Sequence, residues 1–428
     1  MKRYIFILLP LFLSADSFEE ILNKIENNYL LKSKNYEIEA KREIYESQKG
    51  KYLPKVDASL KALYLQEEPK LYVDLKVPGL PEYFQAASIN QYIGEISLTY
   101  PIFTGFAIEN VVEKSRLDMQ KSVLEKNDLK RNLYIKSAKI YSLIYSLNYA
   151  IKATKEALKA IELAYKKAKG FYEQGLIPPS EIYNIEAKKY EIESILSEYR
   201  SKKESMLYIL GYLTNDKIED VEGLRDIKLD RVAIKKAIES REDVLAIKKA
   251  LMTDEKDIAL AKSNFYPKLF FKGALRKYGS NLELNGDGYK NANESYVAFE
   301  ISQNIFNGLS DKKSLEAAKY KKMARIAYLR DYKSKIESSL KSDFKVLDSL
   351  KTNLISAKKR VKAAKSYYKL IEGRFQNQLS SADELSRAIA DLAKAKAEVA
   401  RVKSAIFNQK CKILLEGSLE TFKKSFGK

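Results

Sequence analysis

The side chains that could carry chemistry are few in kind. The chain has 428 residues, no His and a single Cys, Cys411. Without histidine there is no His–Cys metal site and no Ser-His-Asp triad, and one cysteine cannot close a disulfide within the chain. A catalyst made of Asp, Glu, Lys and Tyr survives this exclusion, but no cluster of them argues for one. We therefore expect no enzyme, no cofactor and no metal, and Cys411 reads as a small buried apolar residue. Acids stand where helices are expected to begin, at Glu181, Asp383 and Glu384, and there a carboxylate favours the positive end of the helix dipole.

Lysine and arginine number 77 against 57 acids, a net charge of +20. Such a balance serves nucleic acid or an anionic surface. Here the lysines are interleaved with glutamates, as in Lys152, Lys155, Glu156, Lys159 and Glu162, which is the pattern of a solvated coiled-coil exterior. There is no concentrated basic tract, so nucleic acid is not an expected partner.

The elements that hold these residues are built on a repeat. Leu147, Ile151, Thr154, Leu158, Ile161, Tyr165, Ala168 and Tyr172 follow alternating steps of 4 and 3, a heptad ladder. The same ladder returns 203 residues later as Leu350, Leu354, Ala357, Val361, Ala364, Tyr368, Ile371 and Phe375. One helical unit has been used twice. We place the first repeat at residues 16–223 and the second at 224–428.

In chain order, Lys2 and Arg3 precede an apolar run from Tyr4 to Leu13 and then Ser14-Ala15, a secretory signal over residues 1–15. Residues 18–50 read as a helix ended by Pro54. The period then drops to two: Val56, Ala58, Leu60, Ala62 and Tyr64 alternate with Asp57, Ser59 and Lys61. After a loop rich in Pro and Glu, Gly94, Ile96, Leu98 and Tyr100 alternate with Glu95, Ser97 and Thr99. A hairpin over 55–103 with one apolar and one polar face fits a membrane-spanning pair of strands, or an amphipathic hairpin on a soluble core. Tyr64, Tyr92 and Tyr100 fit an interfacial aromatic girdle or ordinary strand positions.

A helix of about 100 Å follows over 106–174, too long for a compact domain. Gly175 can end it, Pro178 and Pro179 forbid its continuation, and Ser180 can cap the return helix 181–210. The second repeat gives a helix 241–263, a hairpin 268–306, a long helix 309–376 and a return helix 383–414. Asn285-Gly286-Asp287-Gly288 reads as a turn inside that hairpin.

Four strands cannot stand alone in lipid, where every backbone N–H and C=O needs a partner and open edges are forbidden. They must join strands of other copies. The polar faces, with Asp57, Lys61, Glu95, Lys272, Arg276 and Glu300, would then line a wet lumen, and the helices would close into a second tube.

In this order of elements the chain resembles the TolC-like outer-membrane efflux protein family, over essentially all of the mature sequence. The resemblance rests on the signal, the Pro-started hairpins, Tyr100-Pro101-Ile102-Phe103-Thr104-Gly105, the Gly175-Leu176 tip, Glu181-Ile182, and the repetition of the whole. Arg241-Glu242-Asp243-Val244 is similar to the family's Arg-Pro-Asp-Leu start of the second unit, with Glu in place of Pro. The resemblance implies an α+β membrane protein: a homotrimer whose α-helical barrel continues into a 12-stranded transmembrane β-barrel, four strands from each chain. It implies an outer-membrane location with a long periplasmic extension. The partners would be outer-membrane lipid, a periplasmic adaptor and an inner-membrane transporter. The function would be a passive exit duct for a tripartite efflux pump or a type I secretion system.

By position, the family's acidic constriction falls on Glu384 with Asp383, and on Glu181 in the first repeat. Its aromatic gate falls on Phe375, which also continues the heptad and so can be core. Arg387 stands near this gate where an acid is usual, one turn after Glu384. The adaptor-docking tip falls on Gly175, Leu176, Pro178, Pro179 and Leu379, with Gln378 in place of the second Gly. The alternative is a secreted coiled-coil scaffold or tether, which explains the heptads but not two alternating hairpins at matched positions.

Overall fold

The computed structural model describes residues 15–73 and 78–426, so the expected signal over 1–15 lies outside the described residues except for Ala15. Helices α1 (Phe18–Lys24) and α2 (Tyr29–Lys49) lead into strands β1 (Lys55–Tyr64), β2 (Lys70–Tyr72), β3 (Tyr83–Gln85) and β4 (Asn90–Phe103). Then come α3 (Ala107–Glu173), α4 (Pro179–Thr214), α5 (Arg231–Ala237) and α6 (Glu242–Ser263). The second repeat has β5 (Lys268–Gly279), β6 (Tyr296–Ser302), α7 (Ser310–Gln376), α8 (Ala382–Gly417) and α9 (Leu419–Ser425). The duplication is exact in length where it matters: α3 and α7 have 67 residues each, and α4 and α8 have 36 each.

The chain forms two compact units. The first holds Val123–Ala246 and Leu329–Lys428 with the N-terminal residues up to Glu37. Its core gathers an aromatic cluster in which the Phe18 ring lies 5.1 Å from Tyr141, 5.2 Å from Phe407 and 5.7 Å from Phe426. Cys411 is fully buried in the same core. Beside it, the Asp243 carboxylate accepts from Arg241 Nε at 2.9 Å, Tyr332 Oη at 2.7 Å and Arg131 Nη2 at 3.2 Å. Glu242, standing where the resembling family has Pro, is buried and accepts the Leu419 N–H at 3.0 Å, which ties α6 to the start of α9.

The second unit, Ile38–Ser122 and Ile247–Tyr328, holds the sheet. Its strands run β1-β4-β5-β6, all antiparallel, with β2 and β3 as a separate two-stranded ribbon. The central β4–β5 pair joins the two repeats, with Glu95 opposite Arg276 and Thr99 opposite Lys272. The ladder slips between Pro101 and Phe103, as expected where proline withholds an N–H. Gly105 ends this strand at φ +63°, and a Cβ there would meet the Ser263 carbonyl oxygen at 2.6 Å. Only glycine fits, which is the physical content of the Phe103-Thr104-Gly105 element. In the turn after β5, the Asp287 carboxylate accepts from Tyr278 Oη at 2.7 Å and from the N–H groups of Lys290 and Ser88 at 2.8 and 2.9 Å. Burial opposes its charge, but these donors hold its pKa down at about 2.

Several expectations need correction. The stretch 18–50 is not one helix: it breaks at Asn28, whose side chain donates to the Leu213 carbonyl at 2.9 Å and accepts from Leu30 N–H at 2.8 Å. The return helix begins at Pro179 with Pro178 as its N-cap, so Ser180 lies inside the first turn and caps nothing. The ribbon β2–β3, with three residues in each strand, and the short helices α5 and α9 were not expected.

Candidate functional site

Two places collect the residues that the sequence singles out: the turns between long and return helices, and one face of the sheet.

At the first turn, Leu176 N–H donates to the Phe171 carbonyl at 2.9 Å and Gly175 N–H to the Tyr172 carbonyl at 2.8 Å. This is a Schellman motif with Gly175 in the left-handed region, φ +73°. The second turn repeats it: Leu379 N–H reaches the Arg374 carbonyl at 2.8 Å and Gln378 N–H the Phe375 carbonyl at 3.1 Å. Gln378 takes φ +60°, so the turn keeps its shape without glycine, at a strain of about 1–2 kcal/mol. Both turns present an exposed leucine, Leu176 and Leu379. Pro178 and Pro179 follow the first turn and fix the start of α4.

The acids at this end are tied down. Glu181 Oε2 accepts the Ala382 N–H at 2.9 Å, so a carboxylate of the first repeat caps the return helix of the second. Glu384 accepts from Ser380 Oγ at 2.8 Å and Tyr367 Oη at 3.3 Å, while its own N–H is capped by Ser381 Oγ at 3.1 Å. Asp383 pairs with Arg387 at 2.6 Å, one helical turn on. Arg387 thus neutralises Asp383 and not Glu384, because the i,i+4 spacing suits the longer reach.

Phe375 is 4% exposed. Its ring lies 5.9 Å from Phe171, among Ile371, Ala382, Leu385 and Ile389. Phe375 thus packs between α3, α7 and α8, as its heptad position leads one to expect. Of the acids expected in a constriction, Glu181 is committed to a backbone N–H and Asp383 to Arg387, which leaves Glu384 with neutral partners only.

The sheet sorts its residues by parity. Register puts Asp57 opposite Ser97, Lys61 opposite Ile93 and Glu95 opposite Arg276, all on the face that also carries Lys272 and Glu300. On this face Arg276 Nε donates to Glu95 at 2.6 Å, Lys272 to Glu300 at 2.6 Å, and Lys55 pairs with Asp57 at 2.8 Å. The opposite face carries Val56, Leu60, Ile96, Leu275, Val297, Phe299 and Ile301, all exposed, with Val297 at 76% and Phe299 at 72%. Tyr64 and Tyr92 stand at one end of that apolar face and Tyr100 at the other. The outer edges of β1 and β6 have no strand beside them among the described residues. A water-soluble sheet would cover its apolar face.

Residues 233–410 match the family profile of outer membrane efflux protein. The match lies wholly within the second repeat, the half of the chain that carries α6, β5, β6, α7 and α8. Solved structures agree in fold over nearly the whole chain. CusC, described with its transmembrane channel formation, aligns at 12% identity over 95% of this chain and 93% of its own, with a TM-score of 0.79. The outer membrane protein VceC from Vibrio cholerae aligns at 12% identity, covering 94% of this chain and 96% of its own, with a TM-score of 0.77. The CmeC outer membrane channel of Campylobacter jejuni aligns at 15% identity, over 94% and 85% of the two chains, with a TM-score of 0.77. No curated protein sequence matches.

Sequence reasoning missed the bond from Glu181 to Ala382 and the Ser380–Glu384–Tyr367 set. Ser381 three residues before Glu384 is the capping signature that could have located the latter.

Proposed function

We propose that this chain is one protomer of a trimeric outer-membrane duct, a passive exit for solutes delivered by an inner-membrane transporter through a periplasmic adaptor. The observation that carries the reading is the sheet. Its apolar face is bare, its charged face is knitted by ion pairs, and its edges are open. Lipid satisfies the first, a water-filled lumen the second, and only strands of further copies the third. Three copies give a 12-stranded barrel from four strands each, as in the trimeric channels of the family. In that assembly Glu384 is the acid we assign to the pore at the tip. The turns bearing Gly175, Leu176, Pro178, Pro179 and Leu379 form the surface we assign to the adaptor.

The secreted scaffold is disfavoured by the same sheet, because a scaffold has no use for a bare apolar face. The test is the mass of the purified protein in detergent. A trimer that aggregates when detergent is withdrawn supports the duct. A monomeric or elongated protein that stays soluble without detergent overturns it.

A further inference from the structure

The charges on the lumen-side face of the sheet do not cancel. Within the four strands that face carries Lys55, Lys61, Lys268, Lys272 and Arg276 against Asp57, Glu95 and Glu300. Each acid is taken by a base: Asp57 by Lys55, Glu95 by Arg276, Glu300 by Lys272. Lys61 and Lys268 remain with no acidic partner among the described residues. Lys61 is exposed and Lys268 half-buried. The remaining basic residue of these strands, Lys277, falls on the apolar face near the end of β5, where a long side chain can reach headgroups.

The two unpaired lysines sit at different heights. Lys268 is the first residue of β5, at the helix-side end of the sheet. Through the register Lys61 is level with Ile93 and Tyr278, which puts it about 33 Å further along the sheet. Each copy therefore adds two unpaired lysines on this face, and three copies make two rings of three. At about 0.1 M salt the Debye length is about 10 Å, comparable with the half-width of a barrel this size, so the rings act across the whole lumen. Facing low-dielectric walls, their field is focused on the solute.

We infer that the transmembrane lumen favours anionic solutes, with Lys61 and Lys268 as the residues that set the preference. The inference rests on the duct reading above and adds to it the charge class of what passes. Paired charges contribute little net field beyond their own spacing, so the preference comes from the unpaired lysines rather than from the total count. Glu384 at the tip acts in the opposite sense and is tested separately.

The experiment is the reversal potential of the full-length protein in planar bilayers under a KCl gradient near 0.1 M. It is done for the wild type, K61Q/K268Q and the charge-conserving K61R/K268R, each with and without E384Q. In the E384Q background chloride should permeate better than potassium. There the glutamine pair should lower the chloride-to-potassium permeability ratio by at least about two-fold, and the arginine pair should leave it unchanged. The difference should vanish near 1 M KCl, where the Debye length is about 3 Å. Conduction with a ratio that the glutamine pair leaves unaltered at low salt overturns the inference while keeping the duct. Absence of conduction in every variant overturns the duct, and the inference with it.

Discussion

Removing the Glu181 carboxylate should loosen the start of α8, although the two residues belong to different repeats. Glu181 stands in the first turn of α4 and its Oε2 accepts the N–H of Ala382, the first residue of α8, at 2.9 Å. That N–H has no partner within its own helix. A capping acceptor at a helix start contributes about 0.5–2 kcal/mol, which corresponds to a factor of about 2 to 30 in a local opening equilibrium. In E181A, amide hydrogen exchange across the first turn of α8 should speed up by that factor, while exchange in the aromatic core around Phe18 is unchanged. E181Q keeps a carbonyl acceptor and loses only the charge, so most of the protection should remain. Unchanged exchange at Ala382 and its neighbours in E181A would refute the reasoning. It would mean that the carboxylate faces solvent, as a free ring of acids would require.

Three further outcomes follow from the same geometry. Phe375→Ala should cost about 3–5 kcal/mol in unfolding or protection measurements at the tip, whereas a gating side chain would change conductance and leave stability alone. Glu242 is pushed above its ordinary value of 4.5 by burial, against hydrogen bonds from its own and Leu419's N–H and the attraction of Arg131. A raised acid binds its proton more tightly when folded, so stability should fall as pH rises from 4.5 through the folded value and stay lowered above it. E242Q, which keeps an acceptor for Leu419, should flatten that slope and raise the unfolding midpoint at neutral pH. Leu60→Lys, in the middle of the apolar face of β1, should cost about 2–4 kcal/mol of stability in bilayers. Ser59→Lys, its neighbour on the charged face, should be tolerated, and assembly into trimers in detergent reads out both.

The sequence made the sheet legible because period two leaves no freedom: once Val56 and Leu60 face lipid, Asp57 and Lys61 must face away. It made the long helices legible because 67 residues without an interior proline admit few other structures. It could not show the partners of those charges. The Arg276–Glu95 pair joins residues 181 apart through the β4–β5 register, and no local pattern encodes it. The break at Asn28 was hidden for the same reason, since its side chain is held by Leu213, 185 residues away. Ser180 misled because a serine before an acid looks like a cap, while the prolines ahead of it had already begun the helix. Phe375 shows a position with two readings at once, and its packing was visible in the heptad ladder.

The duct itself is tested most directly by single-channel conductance in a planar bilayer, with detergent-purified protein beside the Glu384→Ala variant. The account predicts stable conducting steps whose size or ion preference changes in the variant, because the Glu384 carboxylate assigned to the pore has only the neutral Ser380 and Tyr367 side chains as partners. Failure to insert, by a protein that remains soluble and elongated without detergent, would contradict the account and return the chain to the scaffold reading.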